Sequence, residues 1–533
     1  MSRRAVVIGA GIAGMLAAAA LSTAVDHVIV LDRDELPAVP EHRRGVPQGR
    51  HAHLLMPGGL AAMEDLLPDV DMRGHLLASG ARELSLSSGM LALTPAGWFR
   101  RWRRDEHLMM TCSRALLDWA VRTAVLRTPG IEVRRAHVTG LLGTDRRVRG
   151  VRISGVGQEP LDAELLRLVG ADGAGGSGGG GFGASGGGGS GASGASGGGG
   201  SRASGGGGDD VLEGAGGGGA LEADFVVDAS GRGTRVVNWL NALGIHDIRE
   251  RNIDSGLVNA TRVYRTPAGA EEWPLTLVQP NPYTGRPGRS GMIVPIENGQ
   301  WMVSLGGSRG GEPPKDEDAF LAYALALPSP LVGRLIADAE PVTGVFTSHS
   351  TSNSRRYLEK CRVWPERFVA LGDAAATFNP LYGQGMSVAA LGALALGREL
   401  GRDALAAPGL SRRVQRAASE SVESAWTLAV STDVLYPDVK GGRPTFGDRL
   451  AAAYSQRLTS AATGSYAAAS ALWDVTGMRS GPGRLMRPAT VLAALAGSPL
   501  PPLSGPPLTS GERAFLGGLG ERSGRQEASP ASS

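Results

Sequence analysis

One stretch constrains this chain more than any other: an apolar strand (368–371) runs into Gly372-Asp373, a Pro380-Leu381-Tyr382-Gly383-Gln384-Gly385 turn follows, and an alanine-rich helix begins. A helix starting there leaves backbone N–H groups free, and the positive end of its dipole suits an anionic or electron-rich ligand edge. Asp373 adds an acceptor for sugar hydroxyls. Far away, the N-terminus carries Gly9-Ala10-Gly11-Ile12-Ala13-Gly14 between an apolar strand (5–8) and a helix running through Leu21. Gly9 permits a tight turn, Gly11 lets backbone approach a pyrophosphate, and Gly14 lets the helix pack on the strand. Asp32, followed by Arg33, ends the next strand (28–31), where a carboxylate accepts from a ribose hydroxyl. The two segments together predict one long nucleotide-like ligand gripped from both ends of the chain. They leave FAD and NAD undecided.

The same N-terminus imitates a secretory signal, with Arg3-Arg4, an apolar run and Ser22-Thr23-Ala24. The glycine spacing and the second strand favour a βαβ unit over residues 1–34 instead. No run of about 20 strongly apolar residues follows, which argues against a membrane span. A net charge of +3 on 533 residues is too small to indicate nucleic-acid binding. The two cysteines, Cys112 and Cys361, cannot form a disulfide framework or a structural metal site, so a reducing cytoplasm is the expected setting.

After the first unit, 36–56 reads as a polar loop and 57–67 and 113–127 as helices; 133–138 and 148–153 read as strands. From Gly173 to Gly219 the chain is almost pure glycine and serine, with too few apolar groups to offset the ordering entropy, and is read as a disordered insertion. Ala171-Asp172-Gly173 runs into this tract with no helix after it, and is set aside as a decoy. A strand at 223–229 then enters Asp228-Ala229-Ser230-Gly231, followed by a helix with Val236, Val237, Leu240 and Leu243 on one face. Between 240 and 350 short strands alternate with turns, and 293–297 meets 300–305 across Asn298-Gly299 as a hairpin. Gly306-Gly307-Ser308-Arg309-Gly310-Gly311 reads as a loop rather than a second nucleotide fingerprint. Beyond 383 the chain is helical and ends in a frayed tail.

In this order, the nucleotide fingerprint, the Asp-Ala-Ser-Gly turn and the Gly-Asp segment resemble FAD-dependent monooxygenases with a para-hydroxybenzoate-hydroxylase-like fold. Arg43-Arg44-Gly45-Val46-Pro47-Gln48-Gly49-Arg50-His51-Ala52-His53, Ser113-Arg114-Ala115-Leu116-Leu117-Asp118 and Asn379 to Ser387 are similar to the flavin epoxidases of polyether antibiotic biosynthesis, relatives of squalene epoxidase. The resemblance spans most of residues 3–435. It implies an α/β (α+β) chain: a Rossmann-like FAD-binding domain, an inserted antiparallel β-sheet substrate domain and a helical C-terminal region. The implied order is FAD-binding parts at 1–170, 223–240 and 356–405, the Gly/Ser insertion at 171–222, the substrate sheet at 241–355, C-terminal helices at 406–500 and a flexible tail at 501–533.

The resemblance also implies roles. Gly9, Gly11, Gly14, Asp32 and Arg33 would hold the ADP half of FAD. Arg43 and Arg114 would sit near pyrophosphate or ribitol, and Val138 would offer backbone to adenine. Gly372 and Asp373 would meet the ribityl chain, while Pro380, Gly383, Gly385 and Met386 would place the helix start at the flavin pyrimidine edge. Gln48 and His51 would flank the isoalloxazine. Two imidazoles, His51 and His53, do not make a metal site without a third ligand. Trp239, Trp301, Met292 and Met302 are candidates for an apolar substrate tunnel, with core packing as the competing role.

The implied reaction is transfer of one oxygen atom from O2 to an alkene of an apolar, polyketide-like polyene through a C4a-hydroperoxyflavin. NAD(P)H would act as a transient reductant, or a partner flavin reductase would supply the electrons. Taking no proton from its alkene, such a reaction needs no acid–base dyad, and the sequence offers none. Rivals are a flavin hydroxylase, a geranylgeranyl-reductase-like enzyme acting on a prenyl chain, and a flavin-binding protein without turnover. A flavin halogenase ranks lower: it needs a lysine beside the oxidant's tunnel, and lysine occurs only at Lys315, Lys360 and Lys440, with no Trp-x-Trp-x-Ile-Pro segment.

Overall fold

A computed structural model describes residues 2–104, 106–154, 211–214, 218–349 and 352–527. Its centre is a five-stranded parallel sheet in the order Phe368–Ala370, Phe225–Asp228, Arg4–Ile8, His27–Asp32, Ile131–Arg135. Both faces of this sheet are covered, and its three inner strands are apolar along most of their length, while the edge strand Ile131–Arg135 alternates. Val7, Val28, Val30 and Val227 point into one core with the helices Ile12–Ser22, Arg114–Val125 and Gly385–Arg402. Val6, Ile8, Ile29 and Val226 point into a second core on the opposite face, with the helix Val236–Ala242. The period-two alternation thus divides one hydrophobic sheet between two cores.

That second core is completed by an antiparallel sheet in the order Val211–Gly214, Gly218–Glu222, Val148–Ser154, His137–Gly143. Two corrections arise here. The strand expected at 133–138 is two strands that part at Ala136, whose N–H donates to the Asp32 carbonyl at 2.8 Å. The insertion expected over 171–222 is not unstructured to its end, because Gly218–Glu222 pairs with Val148–Ser154 and buries Leu221. Residues 171–210 and 215–217, including the Ala171-Asp172-Gly173 triplet, lie outside the described residues.

The second large sheet has seven strands, in the order Phe346–Ser348, Val258–Arg265, Gln300–Gly307, Arg289–Ile296, Leu275–Val278, Met90–Thr94, Gly97–Trp98. It is antiparallel except where Met90–Thr94 joins Leu275–Val278 in parallel register. The sheet is therefore not drawn from 241–355 alone. The hairpin turns at Asn298 and Gly299, with φ of 61° at each. One face packs on the helices Glu317–Leu325 and Leu331–Ile336. Part of the other packs on the helices Phe446–Ala462, Tyr466–Thr476 and Pro488–Ala496.

The polar loop expected at 36–56 contains a short 3-10 turn, Pro47–Arg50, and a two-residue strand, Leu54–Leu55. The expected flexible tail carries a helix, Ser510–Glu527. Thr509 and Glu512 form a reciprocal cap, Thr509 N–H to Glu512 Oε2 at 2.8 Å and Glu512 N–H to Thr509 Oγ1 at 3.3 Å. Leu516 and Leu519 are buried against the seven-stranded sheet, and Arg101 Nη1 donates to both carboxylate oxygens of Glu512 at 2.7 and 2.8 Å. Among the described residues, no helix is long and apolar enough to cross a membrane.

Candidate functional site

Three glycine-bearing turns meet at the carboxyl ends of the parallel strands. Gly9 has φ +100°, and a Cβ there would lie 2.5 Å from the Ala229 carbonyl oxygen, so this turn abuts the Asp228 turn. A Cβ on Gly14 would lie 1.8 Å from the Gly9 carbonyl oxygen, and no side chain fits between helix and strand. Gly372, with φ +58°, would bring a Cβ within 2.9 Å of Ala13 Cβ, which sets the third turn against the first helix. The chain's remote glycine segments are thereby neighbours.

Around Gly11 the space is open except for one group. A Cβ on Gly11 would meet only Arg43 Nη2, at 3.8 Å. The Arg43 side chain is 4 % exposed, its Nη1 lies 3.5 Å from Asp32 Oδ2, and its buried Nε has no hydrogen-bond partner. Asp32 also accepts from Ala10 N–H at 2.7 Å and from Asp34 N–H at 3.0 Å. An unpaired guanidinium nitrogen beside a helix N-terminus, with open backbone at Gly11, matches the needs of a pyrophosphate.

The Asp228 and Asp373 carboxylates play different parts. Asp228 is fully buried and occupied, accepting from Ser230 N–H (2.9 Å), Ser230 O–H (2.6 Å) and Thr234 O–H (2.6 Å), so it shapes its own turn. Asp373 accepts no hydrogen bond among the described residues. Desolvation raises its carboxyl pKa, while the charges of Arg232, Arg114 and Arg356 oppose the rise. Arg114, at the start of its helix, donates to Asp118 at 2.9 Å. A half-buried carboxylate without a partner, among three arginines, is free to accept hydroxyl groups. These donor and acceptor sets fit a dinucleotide such as FAD.

The segment from Asn379 to Gly383 is held by a residue that the sequence reading missed. Asp433 is fully buried and accepts from Asn353 (2.7 Å), Asn379 (3.0 Å), Tyr382 O–H (2.7 Å) and Ser255 O–H (3.2 Å). Burial raises its pKa and these bonds lower it. A signal existed: Asp433 continues the Val422, Trp426, Ala429 stripe of the helix Leu410–Asp433, where an apolar residue is expected. An acid on a buried stripe needs partners, and here they are the ends of the turn.

Past Pro380 and Leu381 lies a cavity with about 340 Å³ of empty space, bounded by the seven-stranded sheet and by His51 and Ala52. Asn259, Ser290, Met292, Ser304 and Gly306 supply its sheet wall, and no Asp, Glu, Lys or Arg lines it. His51 is 6 % exposed, and its Nδ1 lies 2.9 Å from Thr261 Oγ1, which is 2.6 Å from Ser304 Oγ. Burial lowers the His51 pKa to about 4, so the ring is neutral at ordinary pH.

Other expected site residues are distributed as follows. Arg33 is 63 % exposed and lies 3.7 Å from Asp34. Gln48 is exposed on the Pro47–Arg50 turn, which packs against the start of the Arg114–Val125 helix. Val138 lies on the edge strand His137–Gly143, paired with Ile153. Gly383 has φ +65°, Gly385 has open space where a Cβ would be, and the Met386 side chain is in the helical core. His53 Nδ1 contacts the His51 carbonyl at 2.7 Å. Of the four tunnel candidates, Met292 lines the cavity; Trp239, Trp301 and Met302 are core. The loop expected at 306–311 begins inside a strand, since Gly306 and Gly307 pair with both neighbours.

No protein-family model matches the chain. Protein Rv3254 of Mycobacterium tuberculosis is 28 % identical over 445 residues, covering 81 % of this chain and 80 % of that protein. The flavin-dependent brominase Bmp2 superposes with a TM-score of 0.56 at 13 % identity, over 92 % of this chain and 98 % of its own. The myxobacterial chondrochloren halogenase CndH gives 0.53 at 17 % identity, over 84 % and 86 % of the two chains. PqsL of Pseudomonas aeruginosa, a probable FAD-dependent monooxygenase, gives 0.51 at 15 % identity, over 81 % and 96 %. The fold is therefore the one shared by FAD-dependent monooxygenases and flavin-dependent halogenases.

Proposed function

We propose that the chain binds FAD and works as a monooxygenase that adds one oxygen atom from O2 to an alkene. The observation that carries this reading is the adjacency of two environments along one segment. The stretch that holds an unpartnered Asp373 among arginines also supplies Pro380 and Leu381 to the border of an uncharged recess. In this reading the Gly9 to Gly14 turn and Arg43 hold the pyrophosphate, Asp32 and Arg33 the ribose side, and Val138 the adenine. Asp373 and Arg114 hold the ribityl chain, and backbone from Pro380 to Met386 meets the pyrimidine edge. Bound FAD, once reduced, supplies the oxygen-activating chemistry. Electrons would come from NAD(P)H or from a partner flavin reductase.

The protein's own task is then binding, orientation and exclusion of water. Asp433 sets the Asn379 to Gly383 segment and so the angle at which the helix start faces the ligand. The sheet wall offers no charged group to draw water inward. Met292 and Leu277 provide apolar contact for a hydrocarbon segment. Lys315, Lys360 and Lys440 are all exposed and none lines the cavity, which counts against halogenation. Buried, unpaired Cys112 and Cys361 suit a reducing cytoplasm.

The test is a turnover experiment with FAD-loaded protein, a reductant and a trisubstituted polyene under 18O2. Mass spectrometry should find label in an epoxide or in the ether formed from it. Label in an alcohol that keeps its alkene would indicate a hydroxylase instead. A product heavier by two hydrogens, without label, would indicate a reductase and end the oxygenase reading.

A further inference from the structure

The cavity wall carries more hydrogen-bonding detail than oxygen transfer to an alkene requires. Two cross-strand rows form it: Asn259, Gly306 and Ser290 in one, Thr261, Ser304 and Met292 in the next. Rows two residues apart share a face of the sheet. Gly306 is the low point of the first row. A Cβ there would come within 2.8 Å of Ser290 Oγ and 3.0 Å of Asn259 Oδ1. Glycine thus leaves a notch between two polar side chains.

The polar atoms around this notch are only partly used. Ser290 donates its proton to the Gly306 carbonyl at 3.2 Å and keeps its lone pairs. Asn259 is 8 % exposed, yet its side-chain amide has no hydrogen-bond partner among the described residues. Its polar atoms face the open space of the recess, where a ligand can take up those hydrogen bonds. His51 Nε2 also lacks a partner among the described residues. Its Nδ1 joins a hydroxyl chain through Thr261 to Ser304, and that chain can run in either direction. His51 can therefore present Nε2 as donor or as acceptor. An anion would find no positive charge along the wall to offset its lost hydration.

We propose that the Asn259–Gly306–Ser290 notch, with His51, is a specificity subsite that binds a neutral oxygen function of the substrate, a hydroxyl or a ketone, and rejects carboxylates and phosphates. Asn259 gives and accepts hydrogen bonds at the notch, while the alkene lies toward Pro380 and Leu381. The position of the alkene rests on the oxygenase reading; the binding preference does not.

The experiment uses the full chain loaded with FAD and four probes that contain the 2,6-dimethylocta-2,6-diene unit: geraniol, geranylacetone (three carbons longer), geranate and the hydrocarbon itself. Dissociation constants come from titration calorimetry. Geraniol and geranylacetone should bind about tenfold tighter than geranate and the hydrocarbon, the worth of one good buried hydrogen bond. Asn259→Leu should abolish that advantage and change hydrocarbon affinity by less than about threefold. Should that variant fail to fold, Ser290→Ala and the notch-filling Gly306→Ala should each reduce the same preference. Geranate binding as tightly as geraniol, an equal loss for all probes in Asn259→Leu, or no binding of either neutral oxygenated probe would overturn the subsite. Discrimination without 18O incorporation would sink the oxygenase reading and leave the subsite standing. Incorporation into probes bound without discrimination would do the reverse.

Discussion

The glycine-turn groove and the sheet-walled cavity share Pro380 and Leu381 as a border, but they are built by opposite means. The groove is made of backbone: turns at Gly9, Gly231 and Gly372, with charge brought by Asp32, Arg43, Arg114 and Asp373. The cavity is lined by four strands of one sheet together with His51, Ala52, Pro380 and Leu381, and no Asp, Glu, Lys or Arg is among the lining residues. A groove of this kind suits a ligand with phosphates and sugars, whose charge must be answered. The cavity suits a molecule whose recognition rests on shape and a few hydrogen bonds.

Substitution at the border should give the largest effect. Asp433→Ala strips the acceptor from Asn353, Asn379, Tyr382 and Ser255 together, and should cost about 3 kcal/mol in urea unfolding. Because both regions lean on that segment, FAD affinity and probe binding should fall together; a loss below about 1 kcal/mol would remove Asp433 as the support. Asp373→Ala should separate the regions. FAD should bind about tenfold more weakly by fluorescence titration, with the preference for geraniol over the hydrocarbon intact. Unchanged FAD retention would make the assignment of Asp373 wrong.

The smallest effect concerns pH. With His51 neutral down to about 4, the preference for neutral oxygenated probes should hold within about twofold between pH 7.5 and 5.5. A preference already fading at pH 6 would show that His51 is charged in the cavity. Stability has its own sign. The folded pKa is depressed from 6.5 to about 4, so the unfolded chain binds the proton first. This contribution is complete above about pH 6.5 and is lost as pH falls toward 4. In His51→Gln the acid-side decline in unfolding free energy should be shallower.

Legibility in the sequence followed locality. The βαβ unit, the Asp228 turn and the helix start at Gly385 each announce themselves within a dozen or so residues. The C-terminal helix was also announced, by Thr509-Ser510-Gly511-Glu512, but a proline-rich approach and a polar end masked the capping pair. Met90–Thr94 gave no sign that it would extend a sheet formed by residues beyond 250, because strand pairing is invisible in the strand itself. Asp433 lay between these cases: its place on an apolar stripe marked it as buried, and nothing nearby named its partners.

The residue order alone determined the groove, since glycine at a positive φ, a helix N-terminus and a carboxylate at a strand end are properties of short segments. Tertiary structure decided the cavity. Asn259, Gly306 and Ser290 form a notch only because three strands pair in one register, and a slip of a single residue would turn each side chain to the opposite face. Register is settled by the packing of the whole sheet against its two cores, so the substrate-facing chemistry appears only once the chain has folded.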